Sequence, residues 1–250
     1  MVDDRRCSVD RRWRARAACT ALVVLVSAPA WAGVFTVSPV RIFMSPRDRA
    51  IAVTVTNDGD EELVMQAEVF KWDQKPGGED ELVASDDLVL SPPILKLAPK
   101  ARQVVRLALI NRTALDRQVT YRLVVREVPE VKQATNIQMQ VALAFSMPVF
   151  ITPQGAKRNL GCTASRATAD VARISCENTG NAYAQIREFS LTSATGDRTS
   201  GGSAGGYILP GVKRAFDIRR AAGPFVAGKY TLGVILDDGT AQSYDLMLPE

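Results

Sequence analysis

Apolar and polar positions alternate with a period of two along most of the chain, most clearly over 51–56, 63–72, 103–110 and 119–128. These runs are rich in Val, Leu, Thr and aromatic residues. Asn57-Asp58-Gly59, Pro76-Gly77-Gly78, Pro92-Pro93 and Asn111-Arg112-Thr113 punctuate them. Half-buried strands joined by turns carry this signature. The pattern breaks near Pro153-Gln154-Gly155-Ala156 and restarts over 182–191, 207–209, 213–218, 230–236 and 242–248. Helical periodicity is scarce. The expected fold is all-β, with two immunoglobulin-like β-sandwich domains in tandem, at 33–153 and 157–250. The stretch 192–206, rich in Ser, Thr and Gly, reads as a loop.

One run is unusual. Ile137, Met139, Val141, Leu143, Phe145, Met147, Val149 and Ile151 alternate without a fault over 137–151. Gln138, Gln140, Ala142, Ala144 and Ser146 take the other face until Pro148 and Phe150. At ~3.3 Å per residue such a strand extends about 50 Å, more than a small sandwich can cover. Pro148 has no N–H for a ladder and belongs at an edge or bulge. The run is either a long core strand or an edge strand that offers apolar teeth to another chain. An edge of that kind invites association and is normally suppressed, so a protein that keeps it has a use for it.

The amino terminus carries a different pattern. Arginines run from Arg5 to Arg16, a short apolar stretch covers 21–26, and Ala30-Trp31-Ala32 follows. This order defines a secretory signal peptide over 1–32, with Gly33 as the mature start. The apolar run is too short to span a bilayer, so no membrane insertion is expected. The general secretory route fits better than twin-arginine export.

Removing that segment changes the remaining chemistry. Residues 1–32 hold six arginines against three aspartates, so of the net +4 only +1 belongs to the rest. A nearly neutral body gives no electrostatic case for nucleic acid. Cys7 and Cys19 leave with the signal, and Cys162 and Cys176 stay as an even pair in an oxidising compartment. A strand over 171–175 and a turn over 167–170 would set them nearly opposite, as a disulfide or as two buried thiols. The chain of 250 residues is 46% hydrophobic and has no histidine. It therefore lacks the commonest general base and the commonest zinc ligand, and no enzyme activity, metal or cofactor is expected.

Several segments together resemble the periplasmic pilus-assembly chaperones, the PapD-like family. They are SPVRIF at 38–43, VTVTN at 53–57, SPPILKLAPKARQVVRL at 91–107, VVREVP at 124–129, the alternating run, and ILPG at 208–211. The resemblance implies a periplasmic chaperone that binds pilus or fimbrial subunits without ATP and passes them to an outer-membrane usher. The family works by donor-strand complementation, in which the chaperone's edge strand fills the groove of an incomplete immunoglobulin-like subunit. Met139, Val141, Leu143 and Phe145 are the implied groove-filling residues. Each gains roughly 1.5–3 kcal/mol on full burial.

Arg41 falls at the family's first-strand arginine, which grips the subunit's terminal carboxylate; a guanidinium matches that group with two parallel hydrogen bonds. The family's partner lysine falls at Pro148, and the arginine before the domain-closing proline falls at Thr152. Arg122 is the candidate replacement anchor, against a plain exposed arginine. These departures, with DLVLSPP at 87–93 and MPVFITP at 147–153, resemble the archaic chaperone–usher branch. Glu127 and Asp237 or Asp238 are candidates for polar contacts between domains. Pro92 and Arg106 match a surface that docks to the usher, and Pro92-Pro93 is a candidate cis bond. Self-association of the free protein through its edge strand is also expected to be open to it.

Three other classes fit less well. A structural pilus subunit or adhesin would insert the alternating strand into a neighbour, but its donor segment would open the chain rather than end a first domain. A sandwich enzyme would need paired carboxylates, and Asp86-Asp87 and Asp237-Asp238 read as turn residues. A ligand-binding module would need a concave aromatic site, yet two of three tryptophans, Trp13 and Trp31, lie in the leader.

Overall fold

The computed structural model describes residues 35–110, 115–129, 142–201, 206–221 and 223–249. The expected signal peptide and the side chains of Met139 and Val141 lie outside these residues. Among them are eighteen strands and no helix. The first ten are β1 (Phe35–Ser38), β2 (Ile42–Met44), β3 (Ala50–Asn57), β4 (Leu63–Gln74), β5 (Asp80–Ala84), β6 (Leu88–Ser91), β7 (Ile94–Leu97), β8 (Arg102–Leu109), β9 (Val119–Glu127) and β10 (Ala144–Ile151). They build two facing sheets, one in the order β1-β3-β8-β6 and one in the order β2-β10-β9-β4-β5, with β7 also on β4.

Alternation decides which side chains go inward. Val53 and Val55 of β3 and Val105 and Leu107 of β8 meet Met65 and Ala67 of β4 and Leu123 and Val125 of β9 in one dry core. A fully buried side chain of this size contributes roughly 1.5–3 kcal/mol, so the inward residues dominate the stability of this sandwich.

A second sandwich follows, made of β11 (Leu160–Thr168), β12 (Val171–Asn178), β13 (Ala184–Ser193), β14 (Arg198–Gly201), β15 (Tyr207–Ile208), β16 (Lys213–Arg219), β17 (Gly228–Leu236) and β18 (Ala241–Leu248). Its sheets run β11-β12-β16 and β14-β13-β17-β18, with β15 on β13. Ile174 and Cys176 face Leu191, Leu232 and Val234 across its core. Cys162 and Cys176 stand directly opposite on β11 and β12, their Cα atoms 4.1 Å apart, and form a disulfide.

Three details differ from the sequence expectations. The stretch read as a loop over 192–206 holds β14, whose polar Arg-Thr-Ser-Gly sequence carries no strand signal but pairs with β13 from Phe189 to Thr192. The cis bond lies at Ser91-Pro92 rather than Pro92-Pro93, and a second lies at Ser38-Pro39. The strand expected over 137–151 begins at Ala144 among the described residues.

An internal echo also escaped sequence reading. Asn57-Asp58-Gly59 ends β3, and Asn178-Thr179-Gly180 ends β12. Both asparagines are fully buried. Asn57 Nδ2 donates to the carbonyls of Glu61, Leu97 and Ala98, and its Oδ1 accepts from Gly59 N–H. Asn178 Nδ2 donates to Ala182 and Ile208, and its Oδ1 accepts from Asn159 and Gly180 N–H. Each sandwich thus uses one buried amide to satisfy backbone groups that its turns leave unpaired. Glycine is required at 180, where a Cβ would sit 2.4 Å from the Lys157 carbonyl oxygen.

Candidate functional site

β10 has different neighbours along its length. On one side it pairs with β9 throughout, from Ala144 opposite Arg126 to Ile151 opposite Val119. On the other side only Val149, Phe150 and Ile151 are paired, in parallel with Ile42, Phe43 and Met44 of β2. Among the described residues no strand covers that side of residues 144–148, so the backbone there is a free edge.

The side chains follow the same division. Met147, Val149 and Ile151 enter the first core. One and two steps earlier in the same alternation, Phe145 is 40% exposed and Leu143 36% exposed. Phe145 meets the core rim in an edge-on contact with Phe35, ring centroids 4.9 Å apart. The alternating face therefore climbs out of its own sandwich at Phe145.

The opposite face of β10 explains why the pattern failed at Pro148 and Phe150. Phe150 is fully buried beneath the second sandwich. It stacks on Tyr183 at 4.1 Å, with Phe43 stacked at 5.4 Å and Trp72 tilted at 6.1 Å. Tyr207 joins this cluster edge-on to Trp72 at 5.2 Å. The aromatic residues thus pack the seam between the sandwiches, a use of Trp72 that composition alone did not suggest.

Arg41 lies between β1 and β2, and Arg122 lies on β9 directly opposite Pro148. Arg122 is the more buried, its side chain 14% exposed. Its Cζ sits 3.8 Å from the Trp72 ring centroid, and its Nη2 is 3.4 Å from Asp80 Oδ2. Burial pulls its pKa below the ordinary arginine value against the pull of Asp80. Arg41 donates from Nη1 to Asp237 Oδ2 at 2.8 Å. Burial lowers its pKa, but Tyr207, Tyr183 and Asp237 outweigh that and raise it.

Asp237, at the carboxyl end of β17, is the polar centre of the seam. Besides Arg41 it accepts from Arg158 Nη1 at 3.1 Å and from the Tyr183 hydroxyl at 3.0 Å. Asp238 accepts from Arg158 Nη2 at 2.8 Å. Arg158 comes from the segment between β10 and β11, which also carries Thr152. Thr152 instead accepts a hydrogen bond from Gln118, whose Oε1 accepts from Tyr183 N–H. Gln74 adds another link: it donates to Tyr207 O and accepts from Leu209 N–H, both at 3.0 Å.

The other candidates lie apart. Glu127 stands at the end of β9 remote from this seam, eight residues or about 26 Å from Val119. Pro92 directly follows Ser91, the last residue of β6, which pairs with Arg106 of β8, and Arg106 is exposed. Among the described residues no cluster of three or more Cys, Asp or Glu could hold a metal ion.

Sequence reading missed Trp72, Asp80, Gln74, Gln118, Arg158, Tyr183 and Tyr207. Trp72 stood out only as the one tryptophan beyond the leader, and Tyr207 only as the residue before ILPG.

The family described as pili and flagellar-assembly chaperone, PapD N-terminal domain, matches residues 34–157. Chaperone protein LpfB of Salmonella typhimurium (strain LT2) is 27% identical over 147 residues, 56% of this chain and 60% of that protein's length. A chain of the CsuC–CsuE chaperone–tip adhesion subunit pre-assembly complex, from the archaic chaperone–usher Csu pili of Acinetobacter baumannii, superposes with a TM-score of 0.64 at 20% identity, covering 87% of this chain and 100% of that one. The E. coli chaperone DraB gives 0.55 at 20%, covering 85% and 95%. At those identities the likeness is one of fold. Through the match that spans its whole first sandwich, the chain belongs to the PapD-like family of pilus-assembly chaperones.

Proposed function

We propose that this protein is a periplasmic chaperone that captures pilus or fimbrial subunits by donor-strand complementation and delivers them to an outer-membrane usher. The observation that carries this reading is the free edge of β10 over residues 144–148, with Leu143 and Phe145 exposed on the alternation that enters the core at Met147. An incomplete immunoglobulin-like subunit would gain backbone pairing from that edge and fill its groove with Phe145, Leu143 and, one and two steps upstream, Val141 and Met139. Arg41 and Arg122 would grip its terminal carboxylate. The structure similar in fold at 0.64 is, by its own description, a chaperone–subunit complex. Pro148, Thr152, DLVLSPP and MPVFITP support assignment to the archaic branch.

Co-expression with a pilus subunit and co-purification from periplasm tests this. The wild-type chain is expected to yield a one-to-one complex. Val141→Asp with Leu143→Asp is expected to abolish it while the unfolding free energy in urea stays within about 0.5 kcal/mol of wild type, the usual range for a surface position such as Leu143. Normal co-purification of the double variant would overturn strand donation.

A further inference from the structure

Two guanidinium groups share one aromatic ring. The Cζ of Arg122 lies 5.6 Å and the Cζ of Arg41 5.9 Å from the ring centroid of Tyr207. The arginines belong to the first sandwich and the ring to the second. Tyr207 is fixed from both sides: β15 pairs it with Gln185 of β13, and Gln74 of β4 donates to its carbonyl at 3.0 Å. Its ring is oriented by Trp72, edge-on at 5.2 Å, and by Tyr183 at 5.4 Å.

Like charges brought together repel, whereas the negative face of an aromatic ring attracts each of them without consuming their N–H donors. A second internal carboxylate between the arginines would neutralise them and compete with any incoming acid. Arg41 already donates from Nη1 to Asp237 and Arg122 from Nη2 to Asp80, and the tyrosine ring takes up none of their remaining N–H donors.

We propose that Tyr207 is a positioning residue for the carboxylate grip: its ring, carried by the second sandwich, sets the spacing of Arg41 and Arg122 so that both reach one terminal carboxylate. This rests on assigning those two arginines as the anchor. The grip is then complete only while the second sandwich is seated on the first.

The test uses the protein isolated from periplasm, N-acetylglycine as the probe for a terminal carboxylate, and N-acetylglycinamide as its uncharged twin. Arginine side-chain N–H resonances are followed by NMR. The wild type is expected to respond to the acid and not to the amide. Tyr207→Phe should keep the wild-type affinity, and Tyr207→Ala should weaken it about fivefold, the size of one or two cation–ring contacts. Leu209→Ala, which removes a buried aliphatic side chain from the seam cluster that Tyr207 packs against and leaves the ring in place, should change it less than twofold. If Arg41→Lys and Arg122→Lys abolish the response but Tyr207→Ala does not, the inference fails and the anchor assignment stands. If neither arginine variant matters, both fall. An equal loss in Leu209→Ala and Tyr207→Ala would reduce Tyr207 to packing and also overturn the inference.

Discussion

Arg122 of β9 and Pro148 of β10 stand directly opposite one another in the same sheet. On the proposed anchor assignment, the cation that the family resemblance places at Pro148 would be supplied by the adjacent strand, at the same height in the ladder. Proline at 148 removes one N–H from a stretch whose far side has no partner, so the substitution leaves the β9 ladder otherwise continuous.

Moving the charge back should therefore be tolerated. Arg122→Thr is expected to lower subunit co-purification at least about tenfold, the loss typical of truncating one member of a buried charge pair. Adding Pro148→Lys to that variant should recover most of it. Quantified complex yield checks this, and no recovery would mean the two positions are not equivalent.

Alkali should loosen the seam. Burial and the neighbouring Asp237 push the Tyr183 phenol from 10 up to about 12, against Arg41. Burial likewise raises Tyr207, and burial with Asp87 raises Tyr121. A group whose pKa is higher in the folded state holds its full contribution below the unfolded value and loses it as pH rises through the folded one. The urea midpoint is expected to be flat from neutral pH to about pH 10 and to fall between 10 and 12. Tyr183→Phe should make that fall shallower.

The disulfide closes a short loop across a hairpin, with a sequence separation of 14. Replacing Cys162 and Cys176 together by alanine should destabilise the second sandwich by about 3 kcal/mol in urea unfolding. The first sandwich, whose core is separate, should keep its own transition.

Asn57→Ala strands three carbonyls and the Gly59 N–H at the end of β3. The expected loss is about 2–3 kcal/mol, and Asn178→Ala should match it in the second sandwich. Differential scanning calorimetry with resolved transitions would assign each loss to its sandwich.

Period-two alternation made the strands legible because inward positions such as Val53, Val55, Val105 and Leu107 answer to a single local rule. Pro148 and Phe150 broke that rule because a second body covers the other face, which no short window contains. β14 was missed for the converse reason: Arg198-Thr199-Ser200-Gly201 pairs through its backbone and buries little. The arginines were picked out by motif, but their surroundings were not, since Trp72, Asp80, Asp237 and Tyr207 reach them over separations of tens to nearly two hundred residues. Asp237 rather than Asp238 reaches Arg41, a choice set by the register at the end of β17 and invisible in an Asp-Asp pair.

From Met147 to Ile151 every residue of β10 is enclosed, alternately by one hydrophobic interior and the other, whereas residues 143–146 are exposed to solvent. Selection for a change of guest has the earlier positions to work with and not the later ones. Any change at Met147, Val149, Phe150 or Ile151 is judged by the body which that side chain helps to fill, so lineages of such chaperones should vary more along the first stretch than at these four positions.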